Sequence, residues 1–565
     1  NLVNLGKPFE AEQWIEEVGL STEILLHGNL DVRILLRQGK FQQAKKLIET
    51  RLDSSGVRLD AYRETDVLYS FILTLLGENK GALEIANKSI IKKDNQFSQY
   101  HLSIAYLRKG HTLLVLNPYN VLDAEKYYLK SIEIMDNLQV NRAKAESYMG
   151  LAIVKSRQYH FEDGIMFAEL GLEETERVHD HWVSALLYTA LTIIYVEHGQ
   201  LKEAKKAISL AKGKFSDADY FGIIIVNFWS AYIAYLEKDD QVFLNTFKDC
   251  ISILMEQKYE FFITAQHIFG PVQSLVWWKM VDHWKRLQDT DTSAPLMIKV
   301  YELLEVDTSQ AVPTYVYKIQ LLGKVTIFRD NHEIDEKSWQ REKAKELFLY
   351  LYMNHSRFVS KEEIVNALWP KTTDQASLRD FKVVYNALLK VLEPNRLPRS
   401  ESAYIIRKQS MYKLVTEHCI TSDYISFKDF IHYGIEEMNP TFSNEWLMRG
   451  IQLYTGELIA DKPYLYWVQN FREEAKQLYM EAVERVAQNF VRLKEFNKTI
   501  YWAEHLLKMD NTWEEAYRLI MYGYYQLHNR AQAVKWFEKC ERILKKELNI
   551  EPMETTVQMY DMILK

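Results

Sequence analysis

Four side chains between residues 379 and 390 could do chemistry together: Arg379, Lys382, Asn386 and Lys390. Their spacing of three, four and four places them on one face of an α-helix. Leu378, Phe381, Val384/Tyr385, Leu388 and Val391/Leu392 form an apolar stripe on the other face. A helix that buries one side and presents Arg, Lys and Asn on the other is suited to reading the DNA major groove. Arg pairs bidentately with guanine and Asn with adenine, while Lys neutralises phosphate. A solvated helix face has the same composition, so the neighbouring elements must decide. Just downstream, expected strands Ala403–Ile406 and Met411–Val415 bracket a hairpin carrying Arg407-Lys408-Gln409-Ser410. A basic hairpin beside a basic helix suits contact with the DNA backbone or minor groove. Arg407, Lys408 and Lys413 are therefore its candidate DNA contacts.

The elements that must position these residues are legible upstream. Alternating patterns predict strands over Tyr317–Leu321 and Val325–Phe328, joined by a turn at Gly323-Lys324, and a third short strand at His332–Ile334. A helix is expected from Arg341 to about Asn354. A second opens with the capping-box signal Ser360-Lys361-Glu362-Glu363 and stops at Trp369-Pro370. A polar loop, Lys371–Ala376, leads to the third helix, where Ser377 and Asp380 repeat the capping signal and Pro394 ends the element. Thr314–Thr416 holds 18 Lys and Arg against 12 Asp and Glu, a balance of +6, which leaves −13 for the rest of a chain whose net charge is −7. A basic middle between acidic flanks is the footprint of a DNA-binding module inside a regulatory protein.

Residues 1 to about 300 contain only four prolines, at 8, 118, 271 and 295, and apolar residues recur at helical spacing throughout. A phrase repeats there: Gly, then Ala five residues later, opening an amphipathic run. It occurs at Gly6/Ala11, Gly39/Ala44, Gly77/Ala82 and Gly199/Ala204. In a helix hairpin, Gly ends the first helix in a left-handed cap and the small Ala lets the second pack closely. Intervals of 33 and 38 residues between the first three glycines match helical-hairpin repeats. The phrase at Gly6 marks the second half of a hairpin with almost nothing before it, and the chain starts Asn1-Leu2-Val3-Asn4, without Met. The expectation is that an upstream part has been removed. After Asp423 the chain is again expected to be helical, with the hairpin logic recurring at Gln526–Ala533, where Asn529 is expected to take the left-handed cap in place of Gly.

The repeats resemble the tetratricopeptide family in the longer, looser form seen in MalT-like regulators, in which a nucleotide-binding domain precedes them. The run Leu321-Leu322-Gly323-Lys324-Val325, then Val359–Ile364, then Ala367-Leu368-Trp369-Pro370 resembles the OmpR-type winged helix of the antibiotic regulatory protein family. Past the hairpin, Asp423-Tyr424, Tyr454–Leu458, Trp467 and Leu544–Pro552 are similar to that family's bacterial transcriptional activation domain. The resemblance implies sequence-specific binding to promoter DNA and activation through RNA polymerase. Its polymerase-facing loop falls on Trp369–Ala376, with Trp369, Lys371, Thr372 and Asp374 as contacts. Two departures stand out. Ala387 and Leu389 occupy positions where many relatives carry arginines, and the hairpin turn is Gln409-Ser410 instead of Gly-Gly.

Other chemistries have little support. No Ser/His/Asp or Cys/His constellation, and no phosphate-binding G-x-x-x-x-G-K-[ST] loop, can be read from the sequence. Neither catalysis nor a cofactor is expected. Cys250, Cys419 and Cys540 are widely separated and odd in number, which fits a reducing cytoplasm and argues against a disulfide framework or zinc site. No apolar run reaches the ~18–20 residues that a membrane span needs, so no membrane partner is expected. Phe228, Trp229, Tyr232, Tyr235 and Trp277-Trp278 have the spacing of a buried helix face; a groove for a peptide or small inducer is the alternative.

The expected fold is mainly α: a helical-hairpin solenoid over 1–310, a central α+β winged helix-turn-helix over 315–416, and a helical activation domain over 420–565. The expected function is a cytoplasmic transcriptional activator. Its partners would be promoter DNA, RNA polymerase, an inducer on the repeats and a second copy of the chain. The alternative is a repeat adaptor for other proteins whose winged helix does not read DNA.

Overall fold

The computed structural model describes residues 2–3, 7–19, 29–55, 65–91, 99–116, 121–141, 144–216, 219–287, 294–330, 332–370, 374–397 and 399–565. The fold is mainly α, with a small sheet region in the middle of the chain. Two compact units divide it, Asn1–Val312 and Pro313–Lys565.

The first unit is built of helix hairpins. Gly39, Gly77 and Gly199 have φ of +73°, +76° and +74°, the left-handed caps that the repeated phrase requires. Ala44, Ala82 and Ala204 are each fully buried at the close contact between helices. Gly6 lies outside the described residues. Further hairpins turn without glycine: Tyr159, His179 and Lys238 adopt φ of 55° to 64° at the same kind of turn. The irregular segment from Tyr259 to Val272 packs against hairpins far away in sequence. The Tyr259 hydroxyl donates to the Gly39 carbonyl. His267 Nε2 lies 3.1 Å from the Leu75 carbonyl, and Trp229 Nε1 donates to the Phe269 carbonyl at 2.8 Å. Burial pushes the His267 imidazole down to about 4, so it is neutral at pH 7.

The aromatic series packs inside this unit. Phe228, Trp229, Trp277 and Trp278 are at most 3% exposed. Phe228 meets Trp277 at 4.4 Å and Phe262 edge-on at 5.8 Å between ring centroids. The buried-face reading holds for these four residues, while Tyr232 and Tyr235 are half-buried. The helix of Phe228 and Trp229, Tyr220–Glu237, is 18 residues with a mean hydropathy of 1.2, long and apolar enough by length and composition to cross a membrane. This corrects the reading that no run reaches that length. Phe221, Ile224, Ile225 and Phe228 of this helix are fully buried within the unit, as in a core helix.

In the second unit two small sheets carry the hairpin and its helices. Strands β1 (Tyr317–Gln320), β2 (Thr326–Arg329) and β3 (His332–Glu333) form an antiparallel meander. β4 is Val359–Ser360, β5 Ile405–Lys408, β6 Met411–Leu414 and β7 Ile420–Ser422. The first sheet has the order β3-β2-β1-β7, β7 lying parallel to β1, and the second has the order β4-β6-β5. Three helices intervene: Glu342–Met353, Lys361–Leu368 and Asp374–Leu392. Ser360 closes the second with the expected capping box, its hydroxyl accepting from Glu363 N at 3.1 Å and Glu363 Oε2 accepting from Ser360 N at 2.8 Å. The third helix begins at Asp374, three residues before the expected cap at Ser377.

Helical hairpins fill the remainder, from Asp423–Glu436 to Glu554–Leu564. At the Gln526–Ala533 turn the left-handed residue is His528, with φ +57°, and not Asn529. Asn529 instead caps the next helix, its side chain accepting from Gln532 N at 3.3 Å.

Candidate nucleic-acid interface

The third helix is held at its C-terminal end and along its buried face. Tyr317 on β1 donates its hydroxyl to the Leu392 carbonyl at 2.8 Å, and Arg329 on β2 donates to the Val391 carbonyl at 3.1 Å. These donors satisfy carbonyls that the helix C-terminus leaves open. Phe381, Val384, Leu388, Val391 and Leu392 are buried as expected. Leu378 is not: it is 38% exposed.

Arg379, Lys382, Asn386 and Lys390 are all exposed. Val383, 45% exposed, stands within their stripe. Sequence reasoning passed over it as one apolar residue in an apolar run. An exposed valine among Arg, Lys and Asn can contact a thymine methyl. Ala387 and Leu389 are buried in the helix's packed side, 6% and 4% exposed. The missing arginines at those positions therefore take nothing from the exposed stripe.

The hairpin is locked to this helix by rings. Tyr412 on β6 meets Phe381 at 5.3 Å and Tyr385 at 5.4 Å, both edge-on. At the tip Gln409 turns the chain with φ +56°, doing without the glycines of relatives. Arg407 and Lys408 belong to β5 itself and both are exposed. Arg407 Nε donates to the Gln409 carbonyl at 3.1 Å, and the Lys408 ammonium lies 5.2 Å from the Phe358 ring. Lys413 differs from them. It is half-buried and pairs with Glu417 at 3.4 Å.

Of the polymerase-facing loop, Trp369 is half-buried, with the Lys343 ammonium 6.0 Å from its ring. Lys371 and Thr372 lie outside the described residues, and Asp374 opens the third helix. Among the described residues no group of three His, Cys, Asp or Glu could hold a metal ion, and the three cysteines are free and buried.

The helices after β7 are welded to this assembly. Asp423 accepts from the Leu321 and Leu322 amides at 2.7 and 3.1 Å. Leu321 and Gly323 carbonyls accept from Ile459 N at 2.7 Å and Ala460 N at 2.9 Å. Gly323, with φ +102°, sits against Gly456; a Cβ on Gly323 would press on the Thr455 hydroxyl at 3.0 Å, and one on Gly456 on the Gly323 Cα at 3.2 Å. Lys462 pairs with Glu342, and Trp467 packs edge-on against Tyr350 at 5.1 Å. Arg472, 4% exposed, fixes the linking loop by donating to the Leu458, Ile459 and Lys462 carbonyls, each at 2.9 Å.

Residues 426–564 match the family model of the bacterial transcriptional activator domain. This segment is similar to a transcriptional activator. The match points to a regulatory protein and away from catalysis. No curated protein matches the chain. Among solved structures, Mycobacterium tuberculosis EmbR in complex with a low-affinity phosphopeptide is 17% identical with a TM-score of 0.40; the match covers 44% of this chain and 65% of that one. The chain thus spans less than two thirds of EmbR. A tetratricopeptide repeat protein from Parabacteroides merdae is 19% identical with a TM-score of 0.29, covering 45% of this chain and 89% of its own. The P58(IPK) TPR domain is 11% identical with a TM-score of 0.21, over 94% and 95% of the two chains.

Proposed function

We propose that the chain is a cytoplasmic, sequence-specific DNA-binding activator of transcription. The observation that carries this reading is the exposed stripe Arg379, Lys382, Val383, Asn386 and Lys390, on a helix clamped to a basic hairpin and joined to the activator-domain segment. The helix enters the major groove, Arg379 and Asn386 discriminate bases, and Lys382 and Lys390 meet phosphates. Arg407 and Lys408 contact the backbone beside it. Lys413 contributes only if its pair with Glu417 opens. The functional modules are 1–310, 315–416 and 420–565. The first takes an effector or partner, and the last, with Trp369, Lys371, Thr372 and Asp374 at the neighbouring loop, engages RNA polymerase. The two hydrogen bonds at Asp423 support transmission between reader and activator segment as one body.

The test is fluorescence anisotropy of the chain on promoter DNA against scrambled DNA of equal length. Preference for the promoter that falls with salt supports the reading, since each phosphate contact adds about −0.9 to the log–log salt slope. Equal, weak binding to both sequences favours the adaptor alternative.

A further inference from the structure

Two helices on the outside of the repeat unit carry opposite charge. Phe161–Val178 holds Glu162, Asp163, Glu169, Glu173, Glu174 and Glu176 against Arg177 alone, a net of −5. Leu201–Lys214 holds Lys202, Lys205, Lys206, Lys212 and Lys214 against Glu203, a net of +4. Both pack on the helix between them, His181–Glu197, whose Leu191 and Ile194 share one core with Ala168 and Ala207. Tyr195, on the outer side of that middle helix, feels the charge of Glu169 from one neighbour and of Glu203 and Lys206 from the other. The acidic and basic helices are therefore two ridges flanking a furrow, floored by the half-buried Tyr188 and Tyr195.

The ridges do not neutralise one another. Glu174 pairs with Arg177 and Lys206 with Glu203, each within its own helix, and Lys205 pairs with Glu237. Glu162, Glu169, Glu173, Lys202 and Lys212 are exposed and form no ion pair among the described residues. Glu169, Glu173 and Glu176 recur at four and three residues, so like charges share one helix face, which is unfavourable in isolation. Apolar side chains stand among the charges: Met166 is 46% exposed, Leu170 36% and Leu210 50%.

We propose that this face is where two copies of the chain meet. An acidic ridge beside a basic one is complementary to itself. A two-fold axis along the furrow lays the acidic helix of each copy on the basic helix of the other. Met166 and Leu170 then face the partner's Leu210, apolar contact at the centre of a charged rim. A face of one sign would call for a partner of the other sign, whereas both signs side by side select a second copy. Docking with like ridges opposed is repulsive, which fixes the arrangement. Exposed ion pairs contribute little individually and the face is two helices wide, so the dimer is weak, with Kd on the order of micromolar. The inference stands on this surface alone and not on the DNA reading.

The test is sedimentation velocity of the full chain from about 1 to 100 µM, at low and high sodium chloride. Wild type should dimerise, and salt should weaken the dimer. Glu169→Lys with Glu173→Lys reverses the acidic ridge; Lys202→Glu with Lys212→Glu reverses the basic one. Each double variant alone should associate about tenfold more weakly or less. An equimolar mixture of the two should dimerise again, since their reversed ridges complement each other. All four positions are exposed, so both variants should keep the circular dichroism of wild type. Should a reversal disturb folding, Leu210→Arg takes its place: loss of the dimer supports the proposal and an unchanged dimer overturns it. A chain that stays monomeric throughout, or a dimer indifferent to salt and to both reversals, also overturns it. So do variants that fail to recombine, a result that would leave an unlike protein as the occupant.

Discussion

The Asp423 carboxylate accepts hydrogen bonds from the backbone amides of both Leu321 and Leu322, at 2.7 and 3.1 Å, across a hundred residues of chain. Asp423 is the first residue of the first helix after β7, and Leu321 and Leu322 end β1's edge of the sheet. One side chain thus ties the sheet beneath the third helix to the activator-domain segment. Removing it leaves two amides without their charged acceptor. Asp423→Ala is expected to cost about 2–4 kcal/mol, charged acceptors being worth more than neutral ones. Amide exchange at Leu321 and Leu322 should accelerate accordingly, while Asp423→Asn, which keeps one acceptor oxygen, should lie between. Unchanged exchange in the alanine variant would show that the link carries no load.

The stripe and the hairpin make separable contributions to DNA binding. Arg379→Ala and Asn386→Ala should each cost about 1–3 kcal/mol on promoter DNA and little on random DNA. Lys408→Ala should weaken both alike and reduce the salt slope by about 1. Titrations of the three variants on both DNAs check this. An equal loss from all three on both sequences contradicts the third helix as reader.

Burial pushes the Asp219 carboxyl up to about 7, against the hydrogen bonds from Gly222 N and Trp182 Nε1 that favour its charge. A folded value above the unfolded one means that the protonated form is favoured in the fold. Its contribution to stability is full below about pH 4 and is lost as pH rises through about 7. A shift from 3.8 to about 7 corresponds to roughly 4 kcal/mol. Asp219→Asn cannot ionise, so its stability relative to wild type should improve from pH 4 to pH 7 and level off above, measured as the difference in melting temperature. The His267 imidazole, depressed to about 4, works in the opposite direction in both chains and cancels in that difference. A difference that does not vary with pH would place Asp219 outside the titrating groups.

The strands, helices and hairpin around the stripe were legible because their stop signals are chemical. Ser360 and Glu363 close a helix start, and Pro370 and Pro394 follow helix ends. β4 and β7 were not read, since two or three residues such as Val359-Ser360 have no periodicity and become strands only through their partners Tyr412 and Tyr317. Gly323 was read as a turn residue; its approach to Gly456 depends on a segment more than a hundred residues away. Repeats beyond the glycine phrase were obscured because Tyr159, His179 and Lys238 take the left-handed turn without glycine. The stripe itself was readable from spacing alone, and Val383, four residues after Arg379 and three before Asn386, shares that spacing. Contacts across the repeat unit were invisible in sequence: Arg37 meets Asp180 over 143 positions, and no local pattern encodes that meeting.

The most direct measurement of the central claim is anisotropy of the full chain on DNA from upstream of its own gene, against scrambled DNA, at two salt concentrations. The account predicts preference for the upstream DNA, weakening with salt, and loss of that preference in Arg379→Ala. Equal affinity for both sequences at both salts, unchanged by the substitution, would contradict it.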